Sequence, residues 1–315
     1  MLLSSVAEHL YWFGRYLERI ENTARLVMVN DSRLLDSPPD CNPGWAPLLQ
    51  ITSRADTFHE HYDTANEQNV IHFLLMDNEH NPDSMLSSIT MARENLRTTR
   101  AIFPNPIWEV INELHDFLKE EYAMAVTHNQ RYPFLRKVID YCHLVAGKIA
   151  ATTNHDEIYE FLRIGCNLER ADMTTRIIDV GVCNLLTQHK ESTLPFEDIQ
   201  WKSVLDSLAA WQMYRRSNRV QLDGSEVLNF LLNDKQFPRS VHYCLMQLEE
   251  SLYSLGVKTI PRLSLKKTLG KIRETGNNKL SGESLHLFID ELQRGFNAIH
   301  KELDQCYFSS VYNAG

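Results

Sequence analysis

Residues that interrupt helices are scarce in this sequence. Its 315 residues include 12 glycines and 11 prolines, with no glycine between Trp45 and Ala146 and no proline between Phe134 and Leu194. Such stretches, with apolar side chains recurring at three- and four-residue steps, are typical of helices. The alternating pattern of β-strands bounded by hairpin turns is not found. The sequence therefore predicts an all-α fold, a large helical bundle.

The sequence also lacks long apolar runs, cysteine pairs and an excess of positive charge, and each absence excludes a class of protein. No apolar run approaches the length that a bilayer demands, and the first residues lack the basic start of a signal peptide. Six cysteines are scattered without a C-x-x-C pair, which disfavours a secreted disulfide scaffold. A net charge of −9 argues against nucleic acid or an anionic membrane as partner. We expect a cytoplasmic protein.

Sequence motifs of familiar catalytic and cofactor sites are also missing. The 13 histidines form no H-E-x-x-H pattern, and the chain has no P-loop, G-x-G-x-x-G or G-x-S-x-G. Cys166 lacks a placed histidine partner, so we interpret it as a core residue rather than a nucleophile. We expect no cofactor.

The apolar periodicity also predicts where helices begin and end. Helices are predicted over residues 4–35, 46–58, 67–76, 82–102, 107–126, 134–153, 156–189, 200–219, 227–233, 240–255 and 285–307, with loops at 36–44 and 274–284. We expect a single domain over residues 1–315, with pseudo-repeat halves at 1–150 and 151–315.

That division rests on a charged motif that occurs twice, as GRYLERIENTARL from Gly14 and as GCNLERADMTTRI from Gly165. The copies share six positions: Gly14/Gly165, Leu17/Leu168, Glu18/Glu169, Arg19/Arg170, Thr23/Thr174 and Arg25/Arg176. Because residues of a helix rotate by about 100° each, the glycine, both acids and the last arginine fall within an arc of about 60°. Each long helix is therefore predicted to carry a charged insert in its apolar stripe. The glycine predicts close approach of another backbone.

Two interpretations of the motif remain open. In the first, the charges form a structural ion-pair network, with favourable i,i+4 pairs from Glu21 to Arg25 and from Asp172 to Arg176. In the second, they line a polar cavity between the halves that binds an amino acid, a peptide terminus or a phosphate through arginine forks. The candidate ligand-binding residues are Glu18, Arg19, Glu21, Arg25, Glu169, Arg170, Asp172 and Arg176, with Arg93 and Arg97 as an extension. A metal is not expected, because arginines stand beside the carboxylates.

The segments LYWFGRYLERIENTARL and NLERADMTTRI resemble the bacterial alpha-E family, an all-helical family of unknown function named for its Glu-Arg motif. The resemblance also covers residues 91–114 (MARENLRTTRAIFPNPIWEVINEL) and 227–252 (VLNFLLNDKQFPRSVHYCLMQLEESL), and so extends over nearly the whole chain. No catalytic residue is carried over from the family.

The resemblance implies a biological context. Genes of this family look to be neighbours of, or fused with, circularly permuted ATP-grasp ligases and transglutaminase-like peptidases. It therefore implies an accessory protein of a peptide- or amide-ligation system that handles substrate or product beside an ATP-grasp partner. Two alternatives stand beside this hypothesis: an enzyme that uses the buried carboxylates for amide or ester transfer, and a purely structural assembly module.

Overall fold

The computed structural model describes residues 2–36, 44–188, 194–217, 222–256, 260–275 and 282–309. Across these ranges the chain forms α-helices and no strand, which confirms the predicted fold class. The helices are α1 (Ser4–Asp36), α2 (Ala46–Ile51), α3 (Ala55–His61), α4 (Glu67–Leu75), α5 (Met85–Thr98), α6 (Asn105–Glu120), α7 (Tyr122–Val126), α8 (His128–Thr152), α9 (Glu157–Gln188), α10 (Leu194–Ser207), α11 (Trp211–Ser217), α12 (Gly224–Asn233), α13 (Val241–Ser254), α14 (Ile260–Thr275) and α15 (Glu283–Leu303). Of the helices so described, none is both long enough and apolar enough to cross a membrane.

The chain divides into two compact units. The first unit comprises residues 9–162, and the second comprises residues 1–8 with 163–315. The division falls inside α1 and inside α9, so each of these long helices contributes to both units. A pseudo-repeat relation between the halves of the chain stays a prediction.

In the first unit, α6 packs against α5 and α8, while α4 contacts α2, α5 and α7. The sequence of α6 explains its position, because Ile107, Ile111, Leu114 and Leu118 recur at steps of four and three and are all buried. Such spacing places the four side chains on one face of a helix. Burial of that face holds α6 at the centre of the unit.

In the second unit, α14 packs on α15 and on α13, and α12 contacts α10, α13 and α14. The approach of α14 to α15 is close at Gly295, since a Cβ at that position would collide with the side chain of Thr268. Glycine therefore sets the distance between these two helices.

The bounds of the two motif helices agree with the prediction to within one residue, but other bounds differ. The helix predicted over 46–58 is broken at Ser53, with φ of 53°, and the one predicted over 200–219 is broken at Ala209, with φ of 51°. The helix predicted over 107–126 is divided at Glu121, and α14 was not predicted at all. The two predicted loops, 36–44 and 274–284, lie largely outside the described residues.

Candidate functional site

The first copy of the motif lies on the part of α1 that belongs to the first unit. Three of its charged side chains are buried: Glu18 and Glu21 are each 5% exposed, and Arg25 is 8% exposed. Leu10, one turn before Gly14, is fully buried on the same stripe. The structure thus confirms that α1 carries charged residues at positions where core residues are expected.

Glu21 and Arg25 form an ion pair along α1. Arg25 Nη2 donates to Glu21 Oε1 at 2.5 Å, which confirms the pair predicted from the i,i+4 spacing. The same oxygen lies 3.1 Å from Nε2 of His143, which reaches it from α8. Nε of Arg25 is buried and has no hydrogen-bond partner among the described residues. The Arg25 guanidinium therefore holds one donor that the described structure does not use.

Arg19 makes a different and more accessible contact. It donates to Oδ1 of Asp83, while Arg54 donates to Oδ2 of the same carboxylate through Nε at 2.8 Å and through Nη2. The Arg19 guanidinium also lies 5.6 Å from the ring of Tyr16. All three charged side chains are partly exposed to solvent. Two guanidinium groups therefore share one carboxylate at the surface of the first unit.

Asp83 is held in place by the short segment that leads into α5. The side-chain oxygen of Asn81 accepts from the backbone N–H of Asp83 at 3.1 Å, and its amide nitrogen donates to the carbonyl of Phe73 at 2.9 Å. Ser84, the next residue, caps the first turn of α5 by accepting from the N–H of Ser87. Because Asn81 and Ser84 are fully buried, these hydrogen bonds hold the backbone at Asp83 in one position.

The second copy of the motif lies on α9 within the second unit. Glu169 is as buried as Glu18, but Asp172 and Arg176 are more open, with side chains 18% and 25% exposed. Arg176 Nε donates to Asp172 Oδ2 at 2.9 Å, so the second predicted i,i+4 pair is also confirmed.

Around this copy, backbone carbonyls of the segment before α13 approach the motif. Nη1 of Arg170 lies 3.5 Å from the carbonyl oxygen of Pro238. Oγ1 of Thr174 lies 2.9 Å from two carbonyl oxygens, those of Arg170 and Arg239, and can donate to either. The two copies are therefore alike in sequence but differ in their surroundings.

The structure brings the candidates of each copy together on one helix. That both copies line one cavity stays a prediction, as does the close helix approach at Gly14 and Gly165. The two arginines that were expected to extend the site make contacts elsewhere. Arg93 donates to Asn112 Oδ1 at 2.6 Å, and Arg97 pairs with Glu94 at 2.8 Å on an exposed face. Their described contacts are thus with residues outside the motif.

Three residues of the first site were not predicted. Asp83 and His143 contact motif side chains, and Arg54 binds Asp83, yet all three stand far from the motif in the sequence. A single sequence gives no direct signal for such contacts, because they depend on how α3, α5 and α8 pack around α1.

One cluster of metal-ligating residue types occurs among the described residues, and it lies outside the motif carboxylates. It consists of Asp179, Cys183 and His286 of the second unit, whose ligand atoms all lie within 4.8 Å of one another. Nδ1 of His286 lies 2.7 Å from Asp179 Oδ1, and this hydrogen bond raises the pKa of His286 above its ordinary value.

Comparison with known proteins gives one match. The sequence model of a family described as a predicted alpha-helical domain with a conserved ER motif matches residues 2–308. The dipeptide Glu-Arg occurs in this chain twice, at Glu18-Arg19 and at Glu169-Arg170. No curated protein and no solved structure matches the chain.

Proposed function

We propose that this chain, which belongs to the Alpha-E family, binds a small carboxylate- or phosphate-bearing molecule through its Glu-Arg motif. In this proposal it acts as an accessory protein of a peptide- or amide-ligation system. The ligand would be an amino acid, a peptide terminus or a phosphorylated intermediate of amide-bond formation.

The observation that carries the proposal is the sharing of Asp83 by two arginines. Arg19 and Arg54 both donate to the carboxylate of Asp83 at a place open to solvent. Guanidinium groups bind carboxylates and phosphates with paired, charge-assisted hydrogen bonds. A ligand anion can therefore join Asp83 between these arginines or displace it.

The buried acids of the motif supply the second half of the proposed site. Glu18 lies beside Arg19 in the sequence, and Glu21 lies one helical turn further, on an adjacent face of α1. In this proposal they orient the arginines or bind the ammonium group of an amino acid. Such an arrangement would favour zwitterionic ligands over simple anions, since both charges of the ligand would be matched.

Ligand binding is tested by titrating the purified full chain with glutamate, glycine, short peptides and inorganic phosphate. A ligand at about 100 times its Kd stabilises the folded state by about 2.7 kcal/mol, which raises Tm by several degrees. Arg19→Lys keeps the charge but removes the planar fork, so we expect it to abolish most of that shift.

Arg136→Lys is the matched control for this test. Arg136 lies on α8 of the same unit, with a side chain 58% exposed and paired only weakly with Asp140 at 3.3 Å. Its replacement should leave the ligand-induced shift unchanged. If none of the four classes of ligand changes Tm, or if Arg19→Lys and Arg136→Lys respond alike, the binding proposal fails.

Partnership with a circularly permuted ATP-grasp ligase, and with a transglutaminase-like peptidase, is the second part of the proposal. It is supported by membership of the family together with the context that the resemblance implies. Affinity purification of the tagged chain from its native cells, followed by mass spectrometry, should recover the ligase in stoichiometric amount. Recovery of the tagged chain without the ligase would contradict the partnership.

A purely structural role is the alternative that one observation favours. The ion pair of Glu21 with Arg25 is short, buried and formed within one helix, as expected for a network that fixes packing. Under this alternative no small molecule changes Tm, whereas replacing either residue lowers it. The ligand titration therefore separates the two functions.

A further inference from the structure

Three side chains of complementary chemistry converge in the second unit. Asp179 and Cys183 stand four residues apart on α9, a spacing that places both on the same face of a helix. His286 lies in the first turn of α15 and reaches Asp179. The cluster thus joins two helices that are distant in the sequence, and the proposed anion site does not use it.

We propose that Asp179, Cys183 and His286 bind a divalent transition-metal ion of the zinc class. The proposal goes beyond the ligand site of the Glu-Arg motif. It also departs from the sequence-based expectation that the chain binds no metal.

The distances suit such an ion. The three ligand atoms lie within 4.8 Å of one another. Around tetrahedral zinc, bonds of about 2.0–2.3 Å place ligand atoms roughly 3.3–3.8 Å apart. The widest separation must therefore contract by at most about 1.5 Å, and the 2.7 Å contact between His286 and Asp179 must open slightly. Side-chain rotation supplies changes of this size without movement of either helix.

The types of ligand select among metals. A thiolate and an imidazole are preferred by zinc and by other late transition metals, whereas magnesium and calcium take oxygen ligands almost alone. When the ion displaces the proton of the Cys183 thiol, the thiolate and the carboxylate together carry two negative charges, which balance a dication. Three protein ligands leave a fourth position for water or for a substrate atom, as at catalytic zinc sites.

The cluster is accessible to an ion from solvent. The side chain of His286 is 49% exposed, that of Asp179 is 19% exposed, and Cys183 is partly buried. A surface ion pair between His286 and Asp179 would form without any metal and is the competing explanation of their contact. The metal proposal differs from it by making Cys183 a ligand.

The test is metal binding by the full chain after chelation and dialysis. We expect one Zn²⁺ per chain by competition with a chromogenic chelator. Co²⁺ should give a thiolate-to-metal charge-transfer band in the near ultraviolet. Cys183→Ser and His286→Ala should each weaken zinc binding by at least about 100-fold, since even residues that only support a ligand contribute about 10–100-fold.

Cys306→Ser is the matched control, because Cys306 is the exposed free cysteine among those described. It should retain both the stoichiometry and the cobalt band, and far-ultraviolet circular dichroism confirms that every variant remains helical. The proposal is overturned if the wild-type chain binds no stoichiometric Zn²⁺. It is equally overturned if binding survives Cys183→Ser and His286→Ala, or if the cobalt band disappears in Cys306→Ser.

Discussion

Replacing Arg25 by methionine should destabilise this protein far more than the same replacement of Arg176. Both arginines close an i,i+4 pair at the same position of the repeated motif, yet their surroundings differ. The side chains of Arg25 and Glu21 are 10% and 6% exposed, whereas those of Arg176 and Asp172 are 25% and 18% exposed. The comparison therefore isolates the effect of burial on one kind of ion pair.

The magnitude follows from what each replacement leaves behind. Removing Arg25 takes the guanidinium away from the buried carboxylate of Glu21, which keeps its contact with His143. Breaking a buried pair in this way costs about 3–5 kcal/mol. Removing Arg176 leaves Asp172 near solvent, where water replaces most of the lost interaction, so the cost is about 1 kcal/mol. A difference of about 2–4 kcal/mol corresponds to about 4–16 °C in Tm for units of this size.

Scanning calorimetry is the suitable measurement, because it gives the Tm and the unfolding enthalpy of each variant directly. Arg136→Met on an exposed face of α8 controls for the change of residue type and should change stability by no more than about 0.5 kcal/mol. Equal Tm losses for Arg25→Met and Arg176→Met would refute the reasoning, and so would a neutral Arg25→Met.

Three further predictions follow from the described contacts. If Glu18 and Glu169 act on a ligand, the double variant Glu18→Gln, Glu169→Gln should keep its fold and lose only the activity of the ligase–partner system. Unfolding of the variant, measured by circular dichroism, would support the structural alternative. Burial alone would raise the pKa of Asp77, but hydrogen bonds from His80 and Tyr62 lower it below its ordinary value. Its stabilising effect is then present above about pH 4 and lost as pH falls through the lowered pKa, so Asp77→Asn should cost stability at neutral pH and progressively less in acid, as urea titrations would show. Ala209→Gly should stabilise the protein by about 0.5 kcal/mol. The left-handed φ of 51° costs about 1 kcal/mol in alanine, and glycine removes this strain but raises the conformational entropy of the unfolded chain, which offsets part of the effect. A loss of stability in urea unfolding would contradict this.

Helices of this fold are predictable because their signal is local. The bounds of α1 and α9 follow from apolar periodicity and from the scarcity of glycine and proline. The sequence of α14 has the same periodicity, because Leu265, Leu269 and Ile272 recur at steps of four and three and are all buried. The breaks at Ser53 and Ala209 lack such a signal, because neither residue type favours a positive φ.

The same distinction applies to the sites. The pair of Glu21 with Arg25 was predictable, because helix geometry alone brings residues i and i+4 together. The contact of Arg19 with Asp83 was not, since it requires the segment before α5 to fold against α1. The proposed metal cluster is predictable only in part. Helix geometry brings Asp179 and Cys183 together, whereas His286 reaches them from a distant part of the sequence.

The small contribution of buried ion pairs to stability bears on the role of the motif. Replacing a buried ion pair by well-packed apolar residues is often neutral or stabilising, so stability alone does not require charges at Glu21 and Arg25. What such a pair provides is fixed position, because each charge is held by its partner. In the first unit this fixed pair lies on the same helix as Arg19, whose own partner Asp83 is set by a buried turn. A site whose charges are fixed before binding loses little entropy when a ligand arrives. In the proposed function, these charged residues bind an anion, and the buried pair contributes by fixing the helix that carries Arg19.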